Sequence, residues 1–388
     1  MIKMARSMIL VTDNLQSSKK VYQFLKKEIN SYKLDEEISI STAPNIKTGN
    51  ALPSLIIYPE AVIYGPIKPK DIPVLIENHL IKGNIVTKLL ANPSLFSSDI
   101  SWLKDRAGTL PAEQRIVLRR VGLMNPASIE DYILYDGYKA LRKVLKQMEP
   151  ERVISEIKSS GLKGRGGAGF PTGTKWQFVA ATLNNKKYII CNSDESEPGT
   201  FKDRTIIEND PHSIIEAMII GGYAVGADEG YIYVRGEYKL VQDRLKNAIL
   251  QAKKAGFLGE NILGSAHTFN IHVHIGAGAY ICGEETALIE SIEGKRGEPR
   301  ARPPYPTTHG LWGKPTLVNN VETLANISPI ILYGAEWYHS FGTPSSPGTK
   351  VYTILGNVNV RGVIEVQLGI TLREVISYYA KGIKDGTI

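Results

Sequence analysis

YIICNSDESEPGTFKDRTIIENDPHSIIEAMIIGGYAVGADEGYIYVRG, residues 188–236, holds a short apolar strand, an acidic loop, an apolar helical run and a second short strand. The order continues outward on both sides. KLVQDRLKNAILQAKKAG (239–256) has helical periodicity, NIHVHIGAG (270–278) reads as another strand entering glycines, and a glycine-rich loop precedes the whole at 161–171. Short apolar strands alternating with helices from 161 to 330 predict a parallel α/β sheet. In such sheets ligands gather where strands end, which directs attention to the loops after YIICN and NIHVHI.

Three other regions flank this one. Residues 7–90 predict a small α/β unit. SMILVTD, EISIST, PSLIIYPE and AVIYG read as strands, SSKKVYQFLKKEI as an amphipathic helix capped by Ser17 or Ser18, and KPKDIPVLIENHLIKG as a helix ending at Gly83. This β-α-β-β-α order is thioredoxin-like. Residues 91–112 read as a linker. EQRIVLRRVG, SIEDYILYDGYKALRKVLKQM and PERVISEIKSSG, within 113–160, read as helices, with Pro150 where a helix start tolerates it. From 350, the strands KVYTILG and VIEVQ and the helix TLREVISYYAKG read as the start of a β-grasp that needs further strands, so the natural protein is expected to continue. The domain reading is 1–92, 93–160 (linker and helices), 161–340 (a Rossmann-like α/β domain) and 341–388.

Composition excludes several classes. A length of 388 residues implies two to four domains. The net charge of +7 comes from basic residues interleaved with acidic ones, which does not point to nucleic acid. Apolar runs stay below the roughly 18 residues that span a bilayer. The longest, 213–227, is interrupted by Glu216, and the N-terminus lacks a signal-peptide pattern. The chain reads as cytoplasmic. Cys191 and Cys282 are the only cysteines, too few for a disulfide framework or a cysteine-ligated metal site.

Four segments carry chemistry. GLKGRGGAGFPTGTKWQF (161–178) combines glycines that leave backbone N–H groups bare with Lys175 and the aromatics Phe170, Trp176 and Phe178. Its G-x-G-x-x-G match follows a helical segment, so the ordinary dinucleotide fingerprint is not met. In YIICNSDESEPGTFKDR (188–204) a strand runs into Asn192, Asp194, Glu195 and Glu197. Asn192 and Asp194 suit hydroxyls or a ring edge, a solvated turn is the bland reading, and metal binding is disfavoured without a histidine. In HIGAGAYICGEETALIESIEG (274–294), Tyr280, Cys282, Glu284 and Glu285 open a helix. Glu285 fits a helix first turn on dipole grounds, Cys282 reads as a buried small residue, and His272 and His274 share one strand face and read as packing. KRGEPRARPPYPTTHGLWGKPTLVNNVETLANI (295–327) offers Arg302, Tyr305, the tandem amides Asn319 and Asn320, and Thr323.

GRGGAGFPTG (164–173), NSDESEPGTFKDR (192–204), AYICGEETAL (279–288) and LWGKPTLVNNVET (311–323) occur in order, and over roughly 110–388 the chain resembles the NADH-binding FMN flavoprotein subunits of respiratory complex I and the diaphorase subunits of NAD-linked hydrogenases. The resemblance implies an NADH dehydrogenase module with FMN and NAD(H) as cofactors. For FMN it implies Gly164, Arg165, Gly166, Gly167, Lys175, Asn192, Asp194, Glu195, Tyr280, Gly283, Glu284, Glu285, Val318, Asn319, Asn320 and Thr323. For NAD(H) it implies Gly167, Ala168, Gly169, Phe170, Phe178, Glu195, Glu197, Arg302 and Tyr305, with Glu195 at the reacting end. The family usually has Lys and Phe where this chain has Arg302 and Tyr305. Both swaps keep charge and stacking.

The N-terminal unit resembles the thioredoxin-like [2Fe–2S] ferredoxin domain of some hydrogenase-type members, but no cysteine precedes Cys191, so a docking role is expected there. Iron–sulfur subunits, a thioredoxin-like [2Fe–2S] protein among them, are the implied partners. A [4Fe–4S] cluster is expected only if the natural chain extends past 388. Two rivals stand beside this reading: a subunit of an ion-pumping ferredoxin:NAD oxidoreductase, and a flavin-free docking subunit.

Overall fold

The computed structural model describes residues 7–12, 16–35, 38–43, 53–58, 62–82, 84, 86–90, 115–384 and 386. It contains two compact units. One comprises the described residues up to 90 together with 122–135, and the other comprises 115–121 and the residues from 136 onward. The linker reading of 91–112 and the Gly83 helix end lie outside the described residues.

In the first unit a four-stranded sheet has the order β2-β1-β3-β4. Strand β1 (Ser7–Thr12) runs parallel to β2 (Ile38–Ala43) and antiparallel to β3 (Leu55–Tyr58), which turns back into β4 (Val62–Tyr64). Helix α1 (Gln16–Ser31) joins the parallel pair. It buries Ser18, Val21, Leu25 and Ile29, the i, i+3/i+4 stripe that a sheet-packed helix requires. Because the helix already includes Gln16, Ser17 and Ser18 sit in its first turn and do not precede it. The helical stretch over 69–81 contains α2 (Ile72–Leu75) between a tight 3-10 turn and a wide π turn. A short helix, α3 (Ile129–Leu134), is capped by Ser128, whose hydroxyl accepts the Asp131 N–H at 3.1 Å.

The second unit is built on a fully parallel sheet of order β7-β6-β5-β8, with β5 at Tyr188–Ser193, β6 at Glu229–Arg235, β7 at Asn270–Gly276 and β8 at Thr316–Asn320. The three strands read from the sequence are present. The fourth, β8, falls in TLVNN, where two asparagines mask the apolar run. Helices α4 (Lys139–Gln147), α5 (Pro150–Ser159), α6 (Thr172–Ala181), α7 (Lys202–Asn209), α8 (Pro211–Val225) and α9 (Lys239–Lys254) lead into and connect the strands. Helix α8 is buried on nearly every face, which accounts for its unbroken apolar run. Gly222 lets it close on the sheet side, since a Cβ there would lie 2.5 Å from the Phe269 ring. After β7 come α10 (Glu285–Ile292), α11 (Pro306–His309), α12 (Val321–Ala325), α13 (Ile327–Tyr333) and α14 (Ala335–His339). A two-residue hairpin pair, β9 (Gly342–Thr343) and β10 (Ser346–Pro347), precedes the antiparallel pair β11 (Thr349–Ile354) and β12 (Gly362–Gln367), and α15 (Leu372–Glu374) follows, capped by Thr371. Among the described residues no helix is long and apolar enough to cross a membrane.

Two helical expectations are corrected. The single helix over 128–148 is two, because Asp136 and Tyr138 adopt left-handed backbone (φ 66° and 57°) between α3 and α4. EQRIVLRRVG is not helical in its described part. Instead the N–H groups of Ile116, Val117 and Leu118 converge on the carboxylate of Glu365 in β12, at 3.0, 2.9 and 2.8 Å. Three adjacent N–H groups aimed at one side chain cannot also make i→i−4 bonds. Glu365 is fully buried, and Arg120 beside this turn pairs with buried Asp210 at 3.1 Å. Replacing Glu365 by Ala strands three buried N–H groups and the Thr349 hydroxyl and is expected to lower unfolding free energy by about 2–4 kcal/mol, read from the denaturant midpoint.

Candidate functional site

A cavity of about 590 Å³ opens where the four motif segments meet. Its lining includes Gly164, Gly166, Ala168, Gly169 and Phe170 from the glycine loop, Lys175 and Phe178 from α6, and Asn192 from the end of β5. Gly283, Glu284 and Glu285 from the start of α10 join them, with Arg302 and Tyr305 from the proline-rich loop. Val318, Asn319 and Asn320 from β8 and Thr323 from α12 complete the expected residues found there. The sequence reading missed Thr172, Pro306, Thr307 and Thr316, which also line it. Each is adjacent or close to a recognised residue, but carries no distinctive chemistry of its own.

The glycine loop is held from below. Its ends meet through Gly164 N–H donating to Phe170 O at 2.9 Å, and Gly167 and Gly169 take left-handed φ values of 125° and 64°. Arg165 N–H donates to Thr323 Oγ1 at 2.8 Å, and its guanidinium runs underneath to Tyr338 Oη and Pro347 O, each at 3.1 Å. Arg165 is thus a buried anchor, outside the cavity lining. Among the described residues the N–H groups of 166–169 donate to no protein acceptor. Bare N–H groups beside an ammonium suit an anionic phosphate. A Cβ at Gly166 would come within 3.1 Å of Asn320 Cβ, so glycine there keeps the floor of the cradle open.

The charged rim is internally paired. Lys175 Nζ lies 3.1 Å from Glu285 and 3.2 Å from Val318 O. Arg302 pairs with Glu284 and, at 3.2 Å, with Glu285. Glu284 caps α10 by accepting from Thr286 N–H and Ala287 N–H at 2.8 and 2.9 Å. Phe170, Phe178 and Tyr305 are all exposed, the first two with ring centroids 6.5 Å apart, and present aromatic faces at the mouth. Trp176 is wholly buried and takes no part in that surface.

Several expected residues lie outside the lining. Glu195 accepts the N–H groups of Asp203 and Arg204 at the start of α7, at 2.9 and 3.0 Å. Its carboxylate is turned away from the cavity by that cap, and burial, followed by the neighbouring Asp203, raises its pKa. Glu197 accepts a 2.6 Å hydrogen bond from the exposed Tyr280 hydroxyl. Gly167 and Asp194 also fall outside. His272 and His274 stack on Tyr231 and Tyr233, and Cys282 is buried.

Behind the cavity sits an ionic cluster whose members the sequence did not single out, although Lys202, Asp203 and Glu322 lie within the motif segments. Lys202 contacts Asp203 at 2.7 Å and Glu322 at 3.0 Å, and Lys350 reaches Glu322 at 2.5 Å. Glu322 is fully buried, and although burial opposes its charge, the two lysines hold its pKa below the usual range. Asp203 also accepts from Asn320 Nδ2 at 2.7 Å, which ties the cluster to the cavity wall.

Parallel strands ending at a glycine cradle, with an ammonium and an aromatic mouth, define an α/β domain that binds a phosphorylated, planar cofactor. Residues 157–329 match the model of a particular family of such domains, the Nuo51 FMN-binding domain. The chain is 54% identical over 272 residues to the NADP-reducing hydrogenase subunit HndC of Solidesulfovibrio fructosivorans, covering 70% of this chain and 55% of that one. It is 56% identical over 267 residues to an NADH-quinone oxidoreductase subunit of Aquifex aeolicus (69% and 62%), and 47% identical over 262 residues to its counterpart in Escherichia coli (67% and 59%). A crystal structure of an NAD+-reducing [NiFe]-hydrogenase in the H2-reduced state matches 98% of this chain and 62% of its own, with 30% identity and a TM-score of 0.60. The chain therefore spans under two thirds of the length of these relatives.

Asp194 gives the site a pH signature. Its side chain is buried with Oδ2 unpartnered, and Arg235 Nε is 4.0 Å from Oδ1. Burial raises its pKa to about 6, against the lowering effect of Arg235. The folded protein then keeps a proton that the unfolded chain releases, so stability falls as pH rises from about 4 through about 6. Asp194→Asn is expected to remove a component on the order of 2 kcal/mol from that slope, measured as Tm against pH for both proteins.

Proposed function

We propose that this chain is an NADH-oxidising flavoprotein module that holds FMN in the cavity, takes NADH at its aromatic mouth and passes electrons to an iron–sulfur partner. The observation that carries the reading is convergence: four motif segments spread over 164–323 close on one cavity at the strand ends of a parallel sheet. The bare N–H groups of the glycine loop and Lys175 would hold the FMN phosphate end. Asn192, Asn319, Asn320 and Thr323 offer donors and acceptors for the ribityl chain and ring edge. Phe170, Phe178 and Tyr305 would sandwich the adenine, and Arg302 would meet the dinucleotide phosphates. Bound FMN supplies the hydride acceptor and the switch from two-electron to one-electron transfer. The protein orients both cofactors and shields the reacting faces. Glu195 would stand at the reacting end of NADH while its carboxylate fixes the start of α7, and Glu197, hydrogen-bonded to Tyr280, would lie near the adenosine ribose.

The domain reading follows the same lines. The β2-β1-β3-β4 sheet with its two helical segments supports a thioredoxin-like unit. The β11–β12 pair followed by helix supports the start of a β-grasp. With no cysteine before Cys191, the N-terminal unit would act as a docking module in a cytoplasmic assembly of iron–sulfur subunits.

The full chain, purified after flavin supplementation, is expected to release FMN on acid or heat treatment and to bleach its flavin absorption when NADH is added anaerobically. Release of FAD, or a folded protein that takes up no flavin, sinks the proposal. Glu197→Gln is expected to raise KM for NADH severalfold and narrow the preference over NADPH, because an acid near a ribose accepts its hydroxyls and repels an added phosphate. An unchanged NADH/NADPH ratio removes Glu197 from that role.

A further inference from the structure

The three asparagines of the cavity spend their amides differently. Asn192 donates to Gly283 O at 2.9 Å and accepts the Asp194 N–H at 3.1 Å. Asn320 accepts the Glu322 N–H at 3.0 Å and donates to Asp203. Asn319, only 6% exposed, makes a single side-chain hydrogen bond among the described residues, accepted by Oδ1 from the indole Nε1–H of Trp176 at 3.0 Å.

That contact fixes a direction. An indole N–H only donates, so the amide atom it meets is the oxygen, and the usual ambiguity between the two ends of an asparagine amide disappears. The Asn319 NH2 group must then point the other way. It finds no protein acceptor among the described residues, yet it is not a sealed, unsatisfied atom, and Asn319 lines the cavity. Its NH2 end is therefore open to the ligand space. Trp176 does not line the cavity itself. It projects from α6 onto α8, where its indole packs beside Gly221.

We propose that Trp176 is a positioning residue that sets the polarity of the cavity wall, holding Asn319 so that it offers donors to a hydrogen-bond acceptor atom of the cofactor. The inference rests on the cofactor reading above. A flipped amide would present its carbonyl oxygen to that acceptor and turn attraction into repulsion. The Lys175 ammonium, one residue before Trp176, adds positive charge to the same wall, so a locked donor there reinforces it.

The test is FMN binding by the apo form of this 388-residue chain, followed by quenching of flavin fluorescence, with Tm measured on every variant. Trp176→Phe removes the indole N–H together with part of the buried aromatic volume, and the Tm reports the cost of that lost packing. Asn319→Leu removes the amide. Each is expected to weaken FMN binding about tenfold, and the double variant is expected to be no weaker than Asn319→Leu alone, because the tryptophan acts only through the amide. A double variant whose loss is the product of the two single losses overturns the proposal, since a merely structural tryptophan would act independently of residue 319. Asn319→Asp covers the case in which Trp176→Phe does not fold. Its carboxylate can still accept the indole N–H but offers no donor, so about tenfold weaker binding with unchanged Tm is expected, and wild-type affinity overturns the proposal. A shift in flavin midpoint potential that accompanies the loss in affinity assigns the acceptor to the ring, and an unshifted potential assigns it to the ribityl or phosphate end. A wild-type chain that binds no FMN overturns the cofactor reading instead.

Discussion

Glu322 sits in the protein interior with no exposure to solvent, and the site depends on how its charge is met. Taking a carboxylate out of water costs several kcal/mol unless cations and hydrogen bonds replace the lost hydration. Here the replacement comes from three directions. Lys202 arrives from the start of α7, Lys350 from β11, and the Val351 N–H donates at 2.9 Å. Since Glu322 also stands in the first turn of α12, directly after Asn319 and Asn320, one buried charge pins together the loop after β5, the end of β8 and the C-terminal hairpin. Asp203 then extends the cluster to the amide of Asn320. The Asn320 amide is thereby committed behind the cavity wall, while that of Asn319 keeps its donors free for the ligand space.

The parallel sheet was legible in the sequence because its strands are short apolar runs ending in glycine or acidic loops, and because α8 and α9 fill the crossovers. The cavity was legible for a different reason: residues that must face a ligand cannot be apolar filler, so Gly164, Lys175, Asn192, Glu284, Asn319 and Asn320 stand out against their neighbours. Other features were hidden by the same rule. In TLVNN, two asparagines at the strand end mask β8. EQRIVLRRVG has helical spacing, but its backbone donors are claimed by Glu365, some 250 residues away, which no local pattern reveals. Lys202, Glu322 and Lys350 look like ordinary surface charges until the fold brings them together. Glu195 carries a duty the sequence did not show, since its carboxylate also accepts two N–H groups of α7.

Arg165 and Trp176 illustrate how the glycine-rich segment divides its work. Glycines face the ligand space, while two of the large side chains among and after them turn inward. Arg165 is tied to Tyr338 and Pro347, and Trp176 to Asn319. A loop of this composition would sample many conformations alone. The inward side chains remove that freedom and leave a preformed surface.

The pairing of Arg302 with Glu284 and Glu285, and of Lys175 with Glu285, has a consequence for how any anion enters. The cavity is not a bare positive pocket awaiting a negative guest, because its cations already have partners. Entry of a phosphate is an exchange reaction in which a carboxylate is displaced and left to water or to the guest's hydroxyls. The free energy of occupation is then a difference between two ion pairs, smaller than either alone.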